Sequence, residues 1–169
     1  MGEGRVRVRR LERSEAVERL ERFERVCLIV MKLLCFQARR FRWKTHSKTL
    51  PDVPDQEIEN EISDAVVVFI HAESTDESEE KSSSVLRQTL KHIKWLANKR
   101  TLKNVVIHSF THLGGYTASP RFAEDLINTL AQRLRDTGYE VWITPFGYFC
   151  EWDLGVYGES LAKVWKEIR

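Results

Sequence analysis

The run AVVVFIHA, residues 65–72, constrains the fold more than any other stretch of the chain. Its β-branched centre, Val66 to Val68 followed by Phe69 and Ile70, has no polar face, so it reads as a strand buried on both sides. Such a strand needs neighbours and covering layers, and the sequence after it supplies both. Over residues 83–99 the apolar positions Val85, Leu86, Leu90, Ile93, Leu96 and Ala97 keep helical spacing, with Ser82 to Ser84 available as caps. KNVVIHSF, residues 103–110, reads as the next strand. A second helix over residues 120–136 has Pro120 at its favoured first position, aligns Phe122, Leu126, Leu130 and Leu134, and is ended by Gly138. YEVWIT, residues 139–144, returns as a strand.

Strand, helix, strand, helix, strand predicts an α/β sandwich with a mixed sheet, its middle strands tied by right-handed crossovers. Upstream, MKLLCFQ (31–37) and RFRWKT (40–45) read as two opening strands, and residues 46–60, with two prolines, as a loop. Downstream, the alternation in FGYFCEWDLGVY (146–157) predicts a hairpin turning at residues 153–155, and residues 159–168 a closing helix.

At 169 residues the chain can bury one substantial core, and 31% charged residues against 42% hydrophobic ones place it among soluble domains. No apolar run approaches the roughly 18 residues needed to span a bilayer, and no signal-peptide pattern opens the chain, so no membrane partner and a cytoplasmic location are expected. Cys27, Cys35 and Cys150 lack the spacing of a zinc site or a disulfide framework and read as buried thiols. The net charge of +2 hides an asymmetry: residues 1–50 carry 14 Lys/Arg against 6 Glu, a basic end able to attract phosphates or simply to solvate a helix face. Leu11, Val17, Leu20 and Phe23 predict an amphipathic helix from about Ser14, so residues 1–30 read as a helical extension and residues 31–169 as the domain proper.

Sites in open α/β sheets gather where loops leave strand ends. HSFTHLGGYTASP, residues 108–120, is such a loop: it carries His112, and Gly114 and Gly115 allow backbone amides to approach a ligand near a helix start. His112 fits either a structural or a catalytic histidine. TPFGYFCEW, residues 144–152, is a second such loop, in which Phe146, Tyr148 and Phe149 form either core or an aromatic wall suited to a nucleobase or a small side chain.

The order of HSFTHLGG, ASP and GYEVWITPFGYF resembles the second half of the archaeal threonyl-tRNA synthetase editing domain, whose segments read PxxHL, AKP and APFGYYK. MKLLCFQARRF and VVVFIHAE fit its first strands, so the resemblance runs from Met31 to the C-terminus. It implies a D-aminoacyl-tRNA deacylase-like fold, a homodimer, no metal or other cofactor, and hydrolysis of seryl-tRNA bearing the threonine anticodon, with the terminal ribose hydroxyl and a bound water carrying much of the reaction. The partners it implies are the aminoacylated tRNA 3′ end and a threonyl-tRNA synthetase catalytic chain. By position, His112 matches the pocket histidine, Ala72 and Ala123 small wall positions, and Phe146 the aromatic beside the substrate side chain. Phe110 joins Tyr148 and Phe149 as a substrate-contacting candidate.

The sequence also departs from that pattern. The family's lysine falls on Cys150, the tyrosine before it on Phe149, the acidic residue of the last helix on Lys163, and the early HxD on Gln37 and Arg39. An ammonium and a carboxylate are thereby lost, groups whose hydrogen bonds contribute ~1.5–3 kcal/mol each. Three readings follow: a hydrolase using His112 with altered neighbours, a non-catalytic relative that binds tRNA or a synthetase chain, and an enzyme in which Cys150 has become the nucleophile.

Overall fold

A computed structural model describes residues 31–168; the expected N-terminal helix lies outside the described residues. The elements in chain order are β1 (Lys32–Lys48), β2 (Glu59–His71), a 3₁₀ turn (Ser74–Glu77), α1 (Glu79–Asn98), β3 (Asn104–Ser109), α2 (Pro120–Arg135), β4 (Glu140–Ile143), β5 (Tyr148–Val156), a second 3₁₀ turn (Ser160–Ala162) and β6 (Lys163–Glu167). They build one mixed sheet in the order β4-β3-β2-β1-β5, with β6 also paired to β1. β2, β3 and β4 are parallel, as helical crossovers require, while β1 runs antiparallel to β2, β5 and β6. The α/β sandwich with a mixed sheet stands as expected.

The buried run is the centre of the sheet. From Ala65 to His71 every residue of β2 is buried, between β1 on one side and β3 on the other. Its side chains alternate between two clusters. Val66, Val68 and Ile70 join Leu33, Cys35, Val105 and Ile107 beneath the helices, which contribute Ile93, Leu96, Leu130 and Leu134. Ala65, Val67 and Phe69 face the other way, with Ala38, Phe41, Trp43 and Val106. There Phe69 packs edge-on against Phe36, Phe110 and Trp152 at centroid distances of 5.8, 5.3 and 5.0 Å. The α2 cap follows the sequence: Ser119 Oγ accepts from Phe122 N at 3.3 Å, with Pro120 next in line.

Three expectations are corrected. The two opening strands are one strand of 17 residues, β1, which absorbs the interval between them through a register shift against β5 at Ala38/Arg40. The C-terminal hairpin is a single strand, β5: Asp153 to Gly155 stay extended because each is paired to β1, Asp153 with Arg42 and Gly155 with Arg40. The closing helix is a 3₁₀ turn followed by β6. β5 pairs with β1 only from Ala38 onward, so Lys32 to Phe36 would leave backbone groups unpaired at the sheet edge; β6 pairs with that interval. A short segment whose backbone completes an open edge gains more there than from one marginal helical turn.

Among the described residues no helix is long and apolar enough to cross a membrane.

Candidate active site

Parallel pairing of β3 with β4 sets Ile107 opposite Ile143, so the residues that follow them, His108 and Thr144, emerge side by side at the strand ends. The two loops singled out in the sequence leave from these neighbouring positions. Between them lies a cavity of about 270 Å³. Of the residues named from the sequence, Phe110, His112, Ala123, Phe146, Tyr148, Phe149 and Cys150 line it. Ala72 does not: it packs in the helix-side cluster, and its carbonyl accepts from Ala118 N at 2.9 Å, holding the cavity wall from behind.

Each loop is fixed by backbone geometry. Phe110 N donates to Ile70 O at 2.8 Å and Ser119 N to Glu77 Oε1 at 2.6 Å, which pins both ends of the His112 loop. The ring of His112 sits edge-on to Phe110 at 5.3 Å. In the second loop Gly147 has φ +75°, and a Cβ there would come within 2.8 Å of Val53 Cγ1, so both backbone and space favour glycine. Its carbonyl accepts from Thr49 N at 2.7 Å, bringing Thr49 and Leu50 to the cavity rim. The Tyr148 hydroxyl donates to Pro54 O (2.7 Å) and accepts from Gln56 N (3.1 Å); its ring lines the cavity while its polar end is held by the structure.

Two features were not singled out from the sequence. His108 lines the cavity floor, 5% exposed, sharing a 2.7 Å hydrogen bond between Nδ1 and Thr144 Oγ1. It is packed against Phe69 and Trp152, and burial pushes its pKa down to about 4, so the imidazole is neutral at physiological pH. The signal was its place at the C-terminal end of a parallel strand, immediately before the glycine-bearing loop. The second feature is a buried charged cluster under the loop. Lys32 and His71 are cross-strand partners, and Lys32 Nζ pairs with the Glu73 carboxylate, both side chains nearly inaccessible. His71 Nε2 donates to Tyr116 O at 3.0 Å and lies 3.7 Å from Glu73 Oε1. Gly114 rests on this cluster so closely that a Cβ would meet His71 Nε2 at 2.8 Å. A cluster assembled from β1, β2 and a following turn has no local sequence pattern.

Among the described residues no Lys, Arg, Asp or Glu lines the cavity. The residues that line it offer two imidazoles, the hydroxyls of Thr49, Ser109, Thr111, Thr117 and Tyr148, the Trp152 indole, the Cys150 thiol and backbone amides. Burial raises the Cys150 pKa, which disfavours a thiolate.

Residues 31–168 match the family described as the archaea-specific editing domain of threonyl-tRNA synthetase. The chain belongs to this family. The editing-domain match covers all the elements described above. A threonine–tRNA ligase of Staphylothermus marinus is 32% identical over 145 residues, covering 82% of this chain and 22% of the relative. One from Hyperthermus butylicus is 30% identical over 140 residues, covering 79% and 22%. The chain thus spans about a fifth of the length of these curated relatives. Among solved structures, a probable eukaryotic D-amino acid tRNA deacylase superposes with a TM-score of 0.53 at 12% identity, covering 83% of this chain and 100% of that one. A c-Myc DNA unwinding element binding protein superposes at 0.56 and 15% identity, covering 80% and 97%. At such identities these two likenesses concern the fold, which is that of the D-aminoacyl-tRNA deacylases.

Proposed function

We propose that this editing domain hydrolyses the ester of a mischarged aminoacyl-tRNA, with seryl-tRNA carrying the threonine anticodon as the first substrate to test. The observation that carries the reading is the convergence of His112, Phe110, Ala123, Phe146 and Phe149 on one small cavity at the ends of β3 and β4. A space of about 270 Å³ suits a small amino-acid side chain with part of the terminal ribose. Ester hydrolysis needs a positioned water, a group to take its proton and donors for the oxyanion. Phe146 and Ala123 form the wall beside the side chain, His112 orients the ester or its water, and loop backbone amides face the developing oxyanion. With no charged side chain on the wall, the remaining acid–base work falls to the substrate's own ribose hydroxyl.

The functional unit proposed is residues 31–169, acting as a homodimer on the 3′ end of aminoacylated tRNA, fused to or associated with a synthetase catalytic chain. The absence of a charged wall also favours a second reading, tRNA binding without turnover. Incubation with seryl- and threonyl-tRNA bearing the threonine anticodon separates the two. Loss of the seryl ester, slowed at least tenfold in His112→Ala, supports hydrolysis. Stable esters across a panel of mischarged tRNAs would leave the binding reading.

A further inference from the structure

A basic surface lies away from the cavity, along α1. Residues 82–100 hold five Lys/Arg and no Asp or Glu, although the whole chain is nearly neutral. Arg87, Lys91 and Lys94 fall at spacings of four and three and therefore share one helix face. With Arg133 from α2 they border a groove whose floor includes Leu90 and whose edge carries Trp95, 41% exposed. Among the described residues no carboxylate lines the groove, and none of these four cations takes part in an ion pair. By contrast, Arg100, just beyond the helix, is paired with Glu159 at 2.6 Å. Unpaired cations collected on one face leave an uncompensated positive potential, the electrostatic footprint of a polyanion site.

The groove also starts from the functional end of the sheet. α1 begins directly after the 3₁₀ turn whose Glu77 holds Ser119, next to the cavity-lining Ala118 and Pro120. From Ser83 to Asn98, the span of α1 along the groove, the helix extends about 22 Å away from that end. Arg87 to Lys94 covers about 10 Å of it, and a nucleic-acid strand places a phosphate every ~3.4 Å of helix axis, so three successive cations face about three phosphates.

We propose that the α1 groove binds the phosphate backbone of the tRNA acceptor stem while the 3′ end occupies the cavity. The proposal rests on the aminoacyl-tRNA reading of the cavity and adds where the rest of the RNA lies. Trp95 gives the groove a flat apolar edge, and recognition there is of backbone rather than base sequence.

The test uses the full chain, deacylated tRNA, and a short aminoacylated CCA-ended oligonucleotide that fills the cavity without reaching α1. The triple variant Arg87→Gln, Lys91→Gln, Lys94→Gln should bind tRNA roughly tenfold or more weakly, and its plot of log affinity against log salt should be shallower by about 2–3. The charge-preserving variant Arg87→Lys, Lys91→Arg, Lys94→Arg should retain the wild-type slope. Hydrolysis of the short oligonucleotide should be unchanged in both. An unchanged tRNA affinity and slope in the glutamine variant overturns the groove, as does wild-type protein that binds no tRNA. Failure of the wild type to hydrolyse any charged substrate, with slope-dependent tRNA binding intact, overturns the hydrolase reading and leaves the groove standing.

Discussion

His108 Nδ1 lies 2.7 Å from Thr144 Oγ1, a contact made by residues 36 apart and fixed by the parallel register of β3 and β4. It holds a neutral imidazole against the aromatic floor of the cavity. Burial lowers the His108 pKa from 6.5 to about 4, so between these values the unfolded chain binds a proton that the folded one excludes. Stability from this group is complete above pH 6.5 and falls as the pH drops toward 4, by up to about 3 kcal/mol. Urea titrations at pH 7.5 and 4.5 should show that loss in the wild type and a smaller one in His108→Phe; equal pH dependence in the two proteins would refute the assignment.

Gly114 should be sensitive to alanine and Gly115 should tolerate it. A Cβ on Gly114 enters the Lys32, His71 and Glu73 cluster, whereas one on Gly115 meets nothing within 4 Å. Overpacking a closed site costs ~1–3 kcal/mol, so Gly114→Ala should lower stability by about that amount and displace the loop that carries His112. Gly115→Ala should be close to neutral by denaturant unfolding.

Glu73→Gln should be more damaging than a surface charge change. It leaves the buried Lys32 ammonium without its carboxylate, and breaking one side of a buried pair costs ~3–5 kcal/mol. Arg42→Gln removes an exposed, solvent-screened pair with Glu59 and should leave the unfolding midpoint nearly unchanged. Thermal unfolding of the two variants side by side makes the comparison.

Cys150 should prove dispensable as a nucleophile. Its thiol is half-buried and its pKa is raised by desolvation, so alkylation by iodoacetamide near neutral pH should be slower than that of a fully exposed thiol. Cys150→Ser should keep ester hydrolysis within about threefold of the wild type, a change of under ~1 kcal/mol in the barrier. A loss of several hundredfold would restore Cys150 as a covalent catalyst.

Ala123→Leu should fill the space beside Phe146 without opening the core, because Ala123 is only partly buried where α2 meets the cavity. Hydrolysis of seryl-tRNA should slow at least tenfold while the unfolding midpoint stays nearly constant. Equal slowing with a collapsed midpoint would mean that the position is structural.

The sequence by itself determined the parts whose physics is local. A β-branched run without a polar face had to be a central strand, helical spacing over residues 83–99 and 120–136 produced α1 and α2, and the paired loops carried both the family pattern and most of the cavity residues. Only the tertiary structure decided the C-terminal region: alternation in residues 146–157 suits a hairpin or one long strand, and the unpaired edges of β1 select the strand and then recruit β6. The same holds for the buried groups at the site. His108 gains its depressed pKa, and Lys32, His71 and Glu73 their mutual contact, from strand register and burial. Both are sums over neighbours distant in the chain, and no short stretch of sequence contains them.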